Sequence, residues 1–194
     1  MGSNNVRTVP DGERERAIAA QTLAFSADPI TRWVWHDSQQ YLTHFPEFVR
    51  VFGGDAFDHG TAFVAGDYHG IALWHPPGIH ADDDKVGAMV EDSLFQADKE
   101  KVFAFFEEMG PYHPEGDIWY LPLIGVEPMW QGKGLGGALL EHALAKCDEN
   151  GVPAYLEATS EGSRALYEHH GFEVTGTIQV ADSPPMWPML RPAR

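Results

Sequence analysis

The segment 131–137 has the residue types of an anion-binding turn. It contains one lysine and four glycines: Gly132, Lys133, Gly134, Gly136 and Gly137. Glycine has no Cβ atom, so backbone N–H groups in such a turn can approach a bulky phosphate closely. The turn lies between an apolar run, 118–126, and a helical pattern, 138–147, so a helix N-terminus adds its positive dipole end. These features predict a site for a phosphate or pyrophosphate.

Two other phosphate motifs compete for this segment. Gly132, Gly134 and Gly137 satisfy the spacing G-x-G-x-x-G, and Glu157 follows Gly137 by 20 residues, as in a dinucleotide-binding fold. However, residues 127–131 separate the turn from its strand, and most of the chain precedes the turn, which leaves too little for a doubly wound sheet. A P-loop is excluded because the chain contains no G-K-[ST] sequence.

Composition limits the partners that we expect. The 194 residues carry a net charge of −16, from 13 basic and 29 acidic residues. This charge argues against nucleic acid and favours a cationic small molecule, although it also serves solubility. No apolar run is as long as a membrane span, and the N-terminus lacks a signal-peptide pattern. The chain has a single cysteine, Cys147, which excludes an internal disulfide, so we expect a cytoplasmic protein. Cys147 lies on the inner stripe of a helical pattern, so we expect it in the core.

The elements that must position the turn alternate along the chain. Their order predicts one domain, 1–194, with a mixed α/β sheet. The predicted strands cover residues 4–9, 61–65, 70–74, 118–126, 153–159, 172–180 and 186–190, and the second and third form a hairpin. The apolar run 118–126 is the predicted central strand, and Pro122 should interrupt its hydrogen-bonded pairing.

The helical patterns are less uniform than the strands. Helices are predicted over residues 13–26, 85–109, 138–147 and 164–170. The aromatic residues Tyr41, Phe45, Phe48 and Phe52 also recur at helical spacing. Pro46 interrupts that last pattern, which leaves open whether it forms one helix or two short ones.

Beyond its glycines, the turn resembles a known motif. The pattern Q-x-x-G-x-G that begins at Gln131 resembles motif A of the GNAT superfamily of N-acetyltransferases, which binds the pyrophosphate of acetyl coenzyme A. Downstream, the segments 155–159 and 165–172 resemble the strand-plus-helix half of the same superfamily. The stretch 118–172 is similar to the puromycin N-acetyltransferase-like members. The resemblance implies a GNAT-type fold with a central, mostly antiparallel sheet flanked by helices.

The resemblance also implies where acetyl-CoA binds. Backbone N–H groups of the turn would hold the pyrophosphate, and the pantetheine arm would pair with the end of the central strand. Ser163 stands where related proteins often carry an Asn that contacts the cofactor, and a serine there could instead cap a helix. The predicted cofactor-binding residues are Gly125, Val126, Gln131, Gly132, Lys133, Gly134, Leu135, Gly136, Gly137 and Ser163.

Acetyl transfer to an amine requires a proton donor for the leaving thiolate and an acceptor for the amine's proton. Tyr167 matches the position of the superfamily's general acid, and a phenol with a pKa of about 10 is protonated at neutral pH. A tyrosine that only packs a short helix is the competing interpretation. Glu157 is the predicted base, at the cleft end of its strand, although a purely structural carboxylate is an equal alternative. His113, Glu115 and a water chain also remain alternatives for the base.

The predicted function is direct transfer of acetyl from acetyl-CoA to the amine of a small molecule, without an acyl-enzyme. A non-catalytic acyl-CoA-binding or sensor module is the alternative, and Ser163 is the departure that points to it. The histidines lack partners at ligand spacing, so no metal site is predicted. The first two helices of the superfamily wall the acceptor site, and edge strands near the C-terminus leave a homodimer open.

Overall fold

The computed structural model describes residues 5–194 and contains one seven-stranded sheet. The strands are β1 (Val6–Thr8), β2 (Ala62–Ala65), β3 (Gly70–His75), β4 (Trp119–Val126), β5 (Ala154–Ala158), β6 (Glu173–Val174) and β7 (Trp187–Arg191). Their order is β1-β2-β3-β4-β5-β7-β6. The pair β4 and β5 is parallel, and the other neighbouring pairs are antiparallel. This confirms the predicted mixed sheet, the hairpin of β2 and β3, and the central position of β4.

The helices are α1 (Arg14–Ala24), α2 (Pro29–Val34), α3 (Ser38–Phe52), α4 (Asp55–Asp58), α5 (Asp83–Ser93), α6 (Lys99–Glu107), α7 (Leu135–Asn150) and α8 (Glu161–His169). They form two hydrophobic cores, one on each face of the sheet. Alternate residues of β3 serve the two cores: Ile71 and Leu73 pack with the helices that precede β4, whereas Ala72 and Trp74 pack with α7. None of the helices within residues 5–194 is long and apolar enough to cross a membrane.

β4 contains one extra residue relative to β3. Leu73 pairs with Leu123, but His75, two residues later, pairs with Tyr120, three residues earlier. This is a β-bulge, and it lies at residues 121–122. Tyr120 and Gly125 are five residues apart and would face opposite sides of a regular strand. The bulge lets both face the helices that precede β4.

The bulge also marks the point where β4 and β5 separate. Their parallel pairing ends at Leu121, which pairs with Leu156. The next residue, Pro122, has no N–H group to continue the ladder. Within residues 5–194, the edge of β4 that faces β5 therefore has no strand partner from Pro122 to Val126. This confirms the predicted interruption at Pro122.

Three predicted elements differ in their extent. The helix predicted over 85–109 is wrong as one element, because Leu94 adopts an extended conformation and is buried in the core between α5 and α6. The strand predicted over 172–180 is reduced to β6 and an isolated bridge between Ile178 and Met186. Pro188, opposite that gap, cannot donate to the ladder. For β1, residue 4 lies outside the described residues.

Pro46 does not divide α3, which is one continuous helix. A proline inside a helix removes one backbone hydrogen bond and crowds the preceding turn. The buried aromatic face of α3 offsets this cost, because Tyr41, Phe45 and Phe48 all pack into the core. The open alternative of two short helices is thereby resolved in favour of one.

Candidate active site

A cavity of about 660 Å³ opens where β4 and β5 separate. Its walls come from the end of β4, the glycine turn, the starts of α7 and α8, and the connection between α1 and α2. The structure brings eleven of the twelve predicted site residues to this cavity: Gly125, Val126, Gln131, Gly132, Gly134, Leu135, Gly136, Gly137, Glu157, Ser163 and Tyr167. Lys133 is the exception.

The glycine turn exposes backbone donors to the cavity. Gly132 and Gly134 have φ angles of 71° and 82°, a left-handed conformation that favours glycine. Gly134 is also the N-cap of α7, and no side chain among the described residues caps this helix end. The first N–H groups of a helix have no intrahelical partner. The turn therefore fits an anion such as a pyrophosphate, which would accept these hydrogen bonds.

Lys133 and Trp130 lie together beside the turn. The Lys133 ammonium is 4.0 Å from the centre of the Trp130 ring, and the His69 ring stacks on Trp130 at 3.7 Å. Trp130 lines the cavity, although the sequence analysis did not single it out. Its position directly before the turn was the available signal. The role of Lys133 in binding the pyrophosphate stays a prediction.

The end of β4 offers both a free edge and a close helix contact. The side-chain amide of Gln131 donates to the Val126 carbonyl at 3.1 Å, which ties the turn to the strand. A Cβ atom on Gly125 would lie 2.6 Å from the Ala24 Cβ and from the Gln21 Oε1. Gly125 is therefore required for α1 to lie against β4, a reason independent of any ligand.

Glu157 lies on β5 at the cavity wall and accepts a hydrogen bond from the Tyr120 hydroxyl, with 3.0 Å between the oxygens. Burial raises the pKa of Glu157 to about 7, and the bond from Tyr120 partly offsets the shift. The Tyr155 hydroxyl also interacts with this carboxylate, but it does not reach hydrogen-bond geometry. The Glu157 carboxyl is therefore close to the midpoint of its titration near neutral pH.

Tyr167 projects from α8 into the same cavity and is otherwise buried, with its ring against Phe172. Burial raises the pKa of the Tyr167 hydroxyl, and the carboxylates of Asp28 and Glu157 raise it further. The phenol therefore remains protonated throughout the neutral range. Its electrostatic coupling to both carboxylates indicates that the three groups share one end of the cavity.

Asp28 is a cavity residue whose contacts the sequence analysis missed. One of its oxygens caps α2 by accepting from the Thr31 N–H at 2.8 Å, and the other accepts from the Thr159 hydroxyl. Burial raises the pKa of Asp28, against these bonds. In the sequence, Asp28 follows the helix predicted over residues 13–26, and nothing near it indicates a partner so far along the chain.

Ser163 lines the cavity and also stabilises the start of α8. The helix begins at Ser160, whose hydroxyl accepts from the Ser163 N–H at 3.1 Å, while the Ser163 hydroxyl accepts from the Ser160 N–H at 3.1 Å. This reciprocal arrangement is a capping box. The expected helix-capping role is therefore confirmed, and contact with a cofactor stays a prediction.

The alternative bases lie outside the cavity wall. The His113 ring packs against Tyr155 and Tyr120, with centroids 5.1 and 5.3 Å apart, and Glu115 is exposed. Neither residue lines the cavity. In the part of the chain that the structure describes, no three residues of His, Cys, Asp or Glu are grouped as metal ligands would be.

Comparison with known sequences gives relatives of the same kind. Residues 91–174 match a family described as the acetyltransferase (GNAT) domain. An uncharacterized N-acetyltransferase of Schizosaccharomyces pombe is 30% identical over 182 residues, which cover 86% of this chain and 73% of that protein. The mycothiol acetyltransferase of Nocardiopsis dassonvillei is 35% identical over 186 residues, which cover 93% of this chain but only 46% of that enzyme. The chain therefore spans about half the length of this second relative.

Solved structures share the fold. Arylalkylamine N-acetyltransferase 2 from Aedes aegypti has a TM-score of 0.71 at 16% identity, with 98% of this chain and 99% of that chain covered. The C-terminal condensation domain of Ebony has a TM-score of 0.74 at 14% identity, with both chains fully covered. These identities show the fold alone. Together with the family match and the relative from Schizosaccharomyces pombe, they place the chain in the GNAT family of acetyltransferases.

Proposed function

We propose that this protein transfers an acetyl group from acetyl-CoA to the amine of a small molecule. The observation that carries the proposal is the continuity of one cavity from the glycine turn to Glu157 and Tyr167. The same walls carry four features in succession: the backbone donors of the turn, the free edge of β4, the Glu157 carboxyl with a pKa of about 7, and the protonated Tyr167 hydroxyl. This is the arrangement that acetyl transfer needs.

The turn and the end of β4 are the proposed cofactor-binding surface. The donors at the start of α7 would bind the pyrophosphate, and the unpaired edge of β4 beside Gly125 and Val126 would pair with the amides of the pantetheine arm. The proposed donor group thereby lies with its reactive end toward Glu157 and Tyr167. Acetyl-CoA supplies a thioester carbonyl that an amine can attack.

Glu157 and Tyr167 are the proposed catalytic residues. An amine arrives mostly as its ammonium ion, and the Glu157 carboxylate would stabilise that charge before accepting the proton. A base with a pKa of about 7 is ionised in a substantial fraction of molecules near neutral pH and is a stronger base than an ordinary carboxylate, so removal of the amine's proton is less uphill. The Tyr167 hydroxyl would then give its proton to the departing sulfur, as the carbon–sulfur bond breaks. The second proton of the attacking nitrogen would pass to the tyrosine oxygen, so that the products are the amide, the free thiol and the proton held by Glu157.

The charge of the protein supports a cationic acceptor. The net charge is −16, and two of the 29 acidic residues, Asp28 and Glu157, line the cavity at its proposed reacting end. A negative field raises the local concentration of cations and would speed their entry. The anionic cofactor must then be held against this field by the local donors of the turn, which is the part of the cavity without acidic lining residues.

A thiol-release assay tests the proposal. The purified protein is mixed with acetyl-CoA and with puromycin, aminoglycosides, polyamines and amino acids in turn, and free thiol is measured with a chromogenic disulfide. We expect release that requires both acetyl-CoA and an amine, and an acetylated amine by mass spectrometry. Thermal stabilisation by coenzyme A without thiol release for any amine would instead favour a non-catalytic acyl-CoA-binding module.

A further inference from the structure

We propose that Tyr120 is a positioning residue that orients the Glu157 carboxylate and keeps it ready to accept a proton. The inference rests on the proposed function, because it assigns a purpose to the base that the proposal places at Glu157. It adds a residue that does not line the cavity and that is not among the predicted site residues.

Strand geometry brings the two residues together. Tyr120 on β4 pairs with Tyr155 on the parallel strand β5, and Glu157 follows on the same face two residues later. The Tyr120 hydroxyl reaches along this face and donates to Oε2 of Glu157 at 3.0 Å. In the proposed mechanism, the other carboxylate oxygen, Oε1, would receive the amine's proton.

Four rings hold the Tyr120 side chain in place. The ring stacks on Tyr155 with centroids 5.9 Å apart. Three other rings contact it in a T-shaped arrangement, with centroid distances of 6.2 Å for Phe52, 5.3 Å for His113 and 6.0 Å for His75. A tyrosine ring held by four neighbouring rings can present its hydroxyl in few directions, so the direction of the bond to Glu157 is preorganised.

Among residues 5–194, no positively charged side chain lowers the pKa of Glu157. The titratable groups around it are Tyr120 from β4, Tyr155 from β5, Tyr167 from α8 and Asp28 from the α1–α2 connection. The histidines behind Tyr120 are neutral, since burial lowers the pKa of His75 to about 4 and also lowers the pKa of His113. The ionised carboxylate is therefore stabilised by hydrogen-bond donors, and the Tyr120 hydroxyl contributes most, ahead of Tyr155 and the backbone.

The Tyr120→Phe variant tests this role through the pH dependence of kcat/KM. Removal of the hydroxyl takes away the main interaction that offsets the desolvation of Glu157, so the pKa of Glu157 should rise. The pH at which kcat/KM reaches half of its maximum should increase by about one to two units, since a hydrogen bond to a charged group shifts a pKa by about that amount. At pH 6 the variant should be about tenfold slower or worse, and near pH 9 it should approach the wild-type rate. A lost packing contact alone would lower activity equally at every pH.

A matched variant serves as the control. Tyr68→Phe removes a hydroxyl that bonds Glu13, and neither residue lines the cavity, so it should keep the wild-type pH profile to within a few tenths of a unit. Tyr155→Phe removes a hydroxyl that interacts with Glu157 without reaching hydrogen-bond geometry, so its shift should have the same direction as that of Tyr120→Phe and be smaller. A profile that Tyr120→Phe leaves unchanged overturns the proposal, and so does an equal or larger shift in Tyr155→Phe.

A direct titration separates this proposal from the proposed function. The carboxyl carbons of 13C-labelled glutamate are followed by NMR, and the Glu157 signal is the one that disappears in Glu157→Gln. The apparent pKa of that signal should be higher in Tyr120→Phe than in the wild type, whether or not any amine is acetylated. An identical titration in both proteins refutes the positioning role, whereas absence of thiol release with a shifted titration refutes only the proposed function.

Discussion

The Thr159 hydroxyl donates a hydrogen bond to Asp28, although the two residues lie 131 positions apart in the chain. Thr159 directly follows β5, and Asp28 caps α2. The bond therefore fixes the first helices to the sheet at the cavity wall. Because both residues line the cavity, the end that we propose for the acceptor depends on this contact between distant segments.

Thr159→Val should loosen the acceptor end and spare the cofactor end. Valine keeps the shape but leaves Asp28 without one of its donors, which costs on the order of 1 kcal/mol. We expect KM for the amine to rise several-fold while the Kd for coenzyme A stays within twofold, measured by steady-state kinetics and calorimetry. Thr175→Val is the matched control, since it removes a hydroxyl bonded to the Pro188 carbonyl outside the cavity. A similar loss of affinity for both substrates would contradict this account.

Tyr167→Phe should reduce turnover and leave cofactor binding intact. The variant retains the buried ring against Phe172 and lacks only the hydroxyl that would protonate the sulfur. A general acid contributes about 10²- to 10⁴-fold, so kcat should fall by that range. The same change at Tyr68 should leave kcat unaltered. Unchanged turnover in Tyr167→Phe would leave that tyrosine with a packing role only.

Glu157→Gln should abolish most activity and raise stability at alkaline pH. The pKa of Glu157 rises from an ordinary 4.5 to about 7 on folding, so the folded protein holds this proton more tightly than the unfolded chain does. Stability from this group is present below pH 4.5 and is lost as the pH rises to 7. The variant avoids that loss, and its free energy of unfolding should exceed the wild-type value by about 1–3 kcal/mol at pH 8.

Thermal unfolding at pH 5 and pH 8 measures this effect. The gain in Tm of Glu157→Gln over the wild type should be larger at pH 8 than at pH 5, because the wild-type carboxyl is mostly protonated at the lower pH. A gain in Tm that is the same at pH 5 and pH 8 would mean that burial does not shift the pKa of the Glu157 carboxyl. A variant that is more stable but less active is expected when a functional group is costly to bury in the folded protein.

Gly134→Val should abolish binding of coenzyme A, and Gly151→Val should not. These glycines occupy the two ends of α7 in the same left-handed conformation, so valine strains the backbone similarly at both. Only Gly134 lines the cavity. Equal losses of Tm with loss of binding in the first variant alone, measured by calorimetry, would support the turn as the anion site. Retained binding in a folded Gly134→Val protein would refute it.

Local signals in the sequence were sufficient to predict the turn between β4 and α7. The glycines, the apolar run before them and the helix after them are contiguous, so spacing alone predicts a turn between a strand and a helix. Gly134 and Gly151 then mark the two ends of α7 as the structure has them. The family resemblance added Glu157 and Tyr167 by position, and the structure brings both to the cavity.

Long-range contacts account for what the sequence did not predict. Regular alternation along β4 places Tyr120 and Gly125 on opposite faces, and only pairing with β3 reveals the bulge that reverses this. The bond between Asp28 and Thr159 depends on how the first helices dock. Likewise, Leu94 ends α5 because the core accepts it in an extended conformation, which no helical pattern can indicate.

The bulge at residues 121–122 coincides with the place where β4 separates from β5. The extra residue sets which face of the strand Tyr120 and Gly125 present, and the ladder to β5 ends at Leu121, directly before Pro122. The facing of the residues and the start of the gap are therefore tied to one place in the strand. Deletion of one residue there would alter both at once, which no single side-chain replacement would do.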